Sequence, residues 1–173
     1  MTRFLATAVS WLCTTWLVLL PVGMVVLLIN PDYLAEITRA AIRLPIQWYT
    51  IEQWQWFALW GLMCALLSIG YAAVFYLRRA FASFAAGKHF DPRNSRSLRR
   101  FATLLMAQGV TMPVFFAATS VLLSINHPAG QKLLSFSVGS DEIKLILSGL
   151  VMWVLADLLV EATQAVDENR GFV

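Results

Sequence analysis

Few side chains in this sequence could do chemistry, and their spacing says what kind. Asp157 follows an uncharged run, residues 145–156, and Glu161 stands one turn later on the same helical face. A carboxylate held in lipid costs on the order of 2–3 kcal/mol unless it is partnered, so this pair is either a tether between helices or part of a proton or ion path. Gln108, the one strongly polar side chain of another apolar run, is placed at a comparable depth and could supply a hydrogen bond; Arg79 or Arg100 could supply charge at the boundary. A single carboxylate without a second titratable group in the lipid is a poor relay, which favours the tether. Cys13 and Cys64 lie in separate apolar runs without a CxxC or ligand spacing and read as small packing residues. His89 and His127 fall in loops expected on opposite sides of a membrane, where they cannot share a metal. With no Ser/His/Asp grouping, phosphate-binding glycine loop or facing carboxylate pair, the sequence predicts no enzyme and no cofactor or metal.

The stronger signal is charge. Arg78, Arg79, Lys88, Arg93, Arg96, Arg99 and Arg100 crowd residues 78–100 against a single acid, Asp91. Basic residues flanking apolar spans suit anionic lipid headgroups or an acidic protein partner such as a cytosolic regulator. Because this charge sits beside those spans, nucleic acid is not the expected ligand.

The elements that must position these residues follow from composition. The chain has 173 residues, of which 59% are hydrophobic and 13% charged, against roughly 25% charged in soluble domains. Its mean hydropathy is +0.68. The pattern predicts an all-α polytopic membrane protein forming one domain, with four transmembrane helices at about 4–29, 53–77, 101–125 and 142–161 packed as a four-helix bundle. The first run is far longer than a secretory h-region of about 7–15 residues and reads as a retained span. Pro21 and Pro113 are expected to kink their helices, with Thr14 or Thr15 available to satisfy freed backbone groups near Pro21.

Between the first two spans, Leu34, Ile37, Ala41 and Leu44 share one face of an amphipathic helix over 32–44, stopped by Pro45. Trp48, Tyr49, Trp54, Trp56 and Trp60 then form an interfacial aromatic belt, a carbohydrate or aromatic-ligand platform being the sharper alternative. Gly61, Ala65, Ser68 and Ala72 make a small-residue stripe for close helix approach within the chain or in a homo-oligomer. Past Leu77 nothing breaks the helix before Gly87, and Asp91-Pro92 is a strong restart signal, so 78–100 reads as a basic helical hairpin with a turn over 87–90. A polar loop to Gly139 precedes a fourth helix opened by Ser140, Asp141 and Glu142. The acidic tail, 162–173, is expected to be attracted to the hairpin.

With both termini cytoplasmic, nine Lys/Arg lie inside and four outside, as the positive-inside rule requires for a bacterial inner membrane. The run Gly87-Lys88-His89-Phe90-Asp91-Pro92-Arg93-Asn94, then Leu98-Arg99-Arg100, together with the terminal DENRGFV, resembles the bacterial membrane family catalogued as domain of unknown function 2975, over nearly the whole chain. The resemblance implies a four-helix inner-membrane protein with no established catalytic activity, some members of which accompany small helix-turn-helix regulators. It brings no catalytic residues. The leading expectation is a non-enzymatic interaction, regulatory or sensing role through the hairpin and tail; the second is a small oligomeric transporter or channel using Asp157 and Gln108.

Overall fold

In lipid each backbone N–H and C=O must be satisfied within its own segment, so long uncharged runs fold as helices. The computed structural model describes residues 2–41, 46–88, 91–128 and 130–170, with side-chain surroundings for these except residues 2, 41 and 166–170. Arg43, Leu44, Pro45, His89, Phe90 and residues 171–173 lie outside the described residues. The order is α1 (Thr2–Ile29), α2 (Pro31–Ala41), one 3-10 turn (Trp48–Thr50), α3 (Gln53–Ala85), α4 (Pro92–Ser124) and α5 (Ser140–Arg170).

The helices α1, α3, α4 and α5 are each long and apolar enough to cross a membrane, with peak mean hydropathies of 2.5, 1.9, 1.6 and 2.1. Only 11–17% of the residues in those apolar windows are buried by the protein itself. Trp11, Leu12, Val114 and Val154 therefore point outward without protein cover, a surface that water does not tolerate and lipid does. This is the pattern of a multi-pass membrane protein.

The four long helices pack in chain order, α1 on α3, α3 on α4 and α4 on α5. Among the described residues α1 makes no comparable contact with α4 or α5, so the four helices of the predicted bundle are arranged as an open row. Helices in lipid gain no hydrophobic drive from meeting one another, and close backbone approach or hydrogen bonds must hold them. At the α4–α5 contact, a Cβ on Gly149 would stand 2.9 Å from the Ala102 carbonyl oxygen, and one on Gly109 the same distance from that of Glu142. Gly70 of α3 leaves room for the Gln108 amide, whose Oε1 would lie 3.1 Å from a Cβ there. Between α1 and α3, the Trp60 indole donates to the Met24 carbonyl at 3.1 Å and Arg78 Nε donates to Thr14 Oγ1 at 2.8 Å.

Two expectations need correction. The Gly61, Ala65, Ser68, Ala72 stripe is not an internal seam: nothing lies near Gly61, and α3 packs through Leu59, Leu66, Gly70 and Ala73 instead. Thr14 and Thr15 donate to the carbonyls of Ser10 and Trp11, not to Leu17, whose carbonyl loses its usual partner to Pro21. The acidic segment 162–170 is a helical continuation of α5 to Arg170, and the side chains of Asp167 and Glu168, on which its expected attraction to the hairpin rests, lie outside the described residues.

The segment before α5 also departs from a simple polar loop. α5 begins beside Gly109, about fifteen residues or roughly 22 Å in from the Ser124 end of α4. Residues 131–139 cover that length as non-helical chain laid along α4. Ser124 Oγ accepts from the Leu133 amide and Ser120 Oγ from the Ser135 amide, both at 2.9 Å. Four helical residues rise about 6 Å and two extended residues about 6.6 Å, so the two ladders stay in step. Leu134, Phe136 and Val138 are left facing outward. Replacing Gly149 with Ala should lower stability by about 1–3 kcal/mol in unfolding measurements in mixed micelles, whereas Gly61→Ala should be neutral; equal effects at the two sites would contradict the packing described.

Candidate functional site

The turn that joins α3 to α4 is closed on both sides. Gly87 takes φ +79°, its amide bonds to the Phe84 carbonyl at 3.0 Å and the Lys88 amide to the Ser83 carbonyl at 3.1 Å. This paired pattern requires a left-handed residue, which glycine supplies without strain. Asp91 caps α4 by accepting from the Arg93 amide at 2.8 Å, with Pro92 in the first helical position. Asn94, 2% exposed, donates from Nδ2 to the Lys88 carbonyl at 2.6 Å and ties the turn to the new helix. Leu98 is buried beneath it with Ala80 of α3 and Ala156 of α5. The predicted hairpin is therefore a firm scaffold.

On that scaffold the seven basic residues have separate positions. Arg78 reaches α1 at Thr14, and Arg99 reaches α5, donating from Nε to Asp157 Oδ1 at 2.6 Å with Nη2 at 2.5 Å. Arg100 lies over the Tyr76 ring, 5.2 Å from its centroid, and donates to its hydroxyl at 3.3 Å. Arg79, Arg93, Arg96, Ser97 and Arg100 enclose a cavity of about 230 Å³, and Lys88 joins Arg79, Arg93, Ser97 and Asp91 around an adjoining one of about 220 Å³. Among the residues whose side chains are described, the ion pairs are Arg99–Asp157 and Lys144–Asp141, and none of these pairs a cavity arginine; Asp167 and Glu168 lie outside those residues.

The proposed intramembrane polar group is not assembled. Asp157 takes Arg99 as its partner, not Gln108, Arg79 or Arg100. Gln108 sits on Gly70, and its neighbour Gly109 meets Glu142 and Ile146. The antiparallel register of α4 and α5 therefore sets Gln108 about nine residues, or roughly 14 Å, along the helix from the Arg99–Asp157 contact. Glu161 follows Asp157 by one turn on α5 and is exposed.

At the opposite end, polar side chains join the connecting segments. His127, 4% exposed, accepts from the Gln47 amide at Nε2, 3.1 Å away, and its Nδ1 lies 3.2 Å from the Gln131 carbonyl. These partners fit a neutral ring carrying its proton on Nδ1. Gln55, fully buried, donates to the Leu122 carbonyl at 2.6 Å and accepts from Asn126 Nδ2 at 2.9 Å. The aromatic belt borders a cavity of about 410 Å³ lined by Leu34, Arg39, Trp48, Trp56 and Trp60, with Arg39 stacked 5.4 Å from the Trp48 ring centroid. The indoles of Trp54 and Trp60 donate within the chain, to Glu52 and to the Met24 carbonyl. Cys13 and Cys64 are free thiols on α1 and α3.

The family described as protein of unknown function (DUF2975) matches residues 35–170, from within α2 to the end of α5. The chain belongs to this family. No curated protein and no solved structure matches it. The DUF2975 match takes in the hairpin, Asp157 and the segment along α4, and leaves all of α1 outside.

The split among the arginines was readable in spacing: Arg93, Arg96 and Arg100 recur at i, i+3 and i+7, and Arg99 lies roughly a quarter-turn away. The Asn94 tether and the His127 clamp carried no such signal, since each depends on residues brought together by the fold. The Arg99 and Asp157 side chains are 45% and 43% exposed, which in water would limit the pair to about 0–1 kcal/mol. In unfolding measurements, Arg99→Gln and Asp157→Asn should combine non-additively by roughly 0.5–1 kcal/mol, while Gln108→Leu and Asp157→Asn should simply add. Additive behaviour of the first pair would show that the contact contributes nothing.

Proposed function

We propose that this chain is a non-enzymatic protein of the bacterial inner membrane, with both termini and the α3–α4 hairpin in the cytoplasm. The hairpin serves as an interaction face in a regulatory or sensing role. The observation that carries this reading is the cluster of cations Arg79, Arg93 and Arg96 around one cavity, unpaired with any carboxylate among the described side chains and held on a tied helical turn. α3 and α4 have 33 residues each, about 50 Å of helix against a hydrocarbon core of about 30 Å. The excess length supports a hairpin end that stands clear of the lipid. The orientation rests on the excess of Lys/Arg at this end.

The fitting partners are a cytosolic protein with an acidic surface and anionic lipid headgroups. A transport path through Asp157 and Gln108 has less support, because Asp157 is ion-paired and Gln108 packs on Gly70. Photo-crosslinking residues placed at Lys88 and Arg96 in living cells should capture a discrete cytosolic protein. Adducts from Lys88 should disappear in an Arg93→Glu, Arg96→Glu chain that keeps Arg99 to preserve the α5 contact. No adduct, or an unchanged pattern in that chain, would overturn the reading.

A further inference from the structure

We infer that the cavity between Arg79, Arg93, Arg96 and Arg100 is a binding site for a phosphate group, the phosphodiester of an anionic lipid headgroup or a soluble phosphate compound. This rests on the reading of the hairpin end as the interaction face, and it names a ligand for that face. Four guanidinium-bearing side chains and Ser97 line about 230 Å³, and among the described side chains no carboxylate lines it. Like charges gathered around one cavity repel, and an anion between them turns that repulsion into attraction. The guanidinium fork matches phosphate oxygens two at a time, which makes arginine the residue for such a role.

The surroundings sharpen the choice. Asp91, the nearest acid in the adjoining cavity, has an Oδ1 that already accepts from the Arg93 amide at the helix start. Asp157 is taken by Arg99, on another side of α4. Two of the cavity's members are anchored: Arg100 is stacked on Tyr76, and Ser97 is 5% exposed. Arg79 comes from α3 and the other three from α4, so an occupant would also clamp the two helices together. The cavity lies within about two helical turns of Leu77 and Phe101, where the uncharged runs end, a level at which lipid phosphates and soluble phosphates are both within reach.

The test uses the full chain in nanodiscs, where both faces are open and the result does not depend on orientation or on a protein partner. Thermal unfolding followed by tryptophan fluorescence would be compared in phosphatidylcholine alone, in phosphatidylcholine with phosphatidylglycerol, and in phosphatidylcholine with added inorganic phosphate or pyrophosphate. Stabilisation by the anionic lipid identifies a headgroup site, and saturable stabilisation by the soluble anions a free-phosphate site. The Arg93→Gln, Arg96→Gln chain should bind at least about tenfold more weakly, two charge-assisted contacts being lost. The Arg3→Gln, Arg78→Gln chain, which loses the same charge at the same end, should keep its affinity. Equal loss in both double variants would mean diffuse attraction and overturn the site, as would no stabilisation by either anion. Binding by the cavity with no crosslinked protein would overturn the protein-partner reading and leave this one standing.

Discussion

The contact of α4 with α5 sets the geometry of everything else. Gly149 and Gly109 let the two backbones meet so closely that a single methyl group would collide with a carbonyl oxygen, and Arg99 with Asp157 fastens one end of the seam. In lipid, where apolar side chains are as well solvated apart as together, such steric fit and directed polar contact are what fixes register. That register places the start of α5 well inside the length of α4, which is why residues 131–139 must run as extended chain along it. It also fixes the rotation of α4, turning Arg99 toward α5 and leaving Arg93, Arg96 and Arg100 to meet Arg79 of α3.

The open row follows from the same economy. Close glycine approaches join α3 to α4 and α4 to α5, and α1 meets the other long helices chiefly through α3 among the described residues. The broad apolar faces that remain are suited to lipid, and a second copy could cover one of them without disturbing the hairpin.

Much of this was legible in the chain. The four spans, the stop at Gly87 and the restart at Asp91-Pro92 are local signals, written in hydropathy and in the needs of helix ends. What misled was distance across the membrane. Gln108 and Asp157 looked level because each is polar within an apolar run, yet depth is set by inter-helix register, which the Gly109 and Gly149 contacts determine and no local pattern reveals. The stripe at Gly61 resembled a seam for the same reason: small residues permit contact without requiring it. The segment before α5 did carry a clue, since Leu134, Phe136 and Val138 alternate with Ser135 and Ser137 in the two-residue period of extended chain. The serine pair that receives it, Ser120 and Ser124, has meaning only once the two segments are side by side.

The functional account depends most on which compartment holds the arginine end. The direct measurement is labelling with a membrane-impermeant maleimide of single cysteines at Lys88 and at Tyr49, in a chain with Cys13 and Cys64 replaced, using right-side-out and inside-out vesicles. Position 49, 85% exposed at the opposite end, should label in right-side-out vesicles, and position 88 only in inside-out ones. Labelling of position 88 from the outside would place the basic hairpin in the wrong compartment and contradict the account.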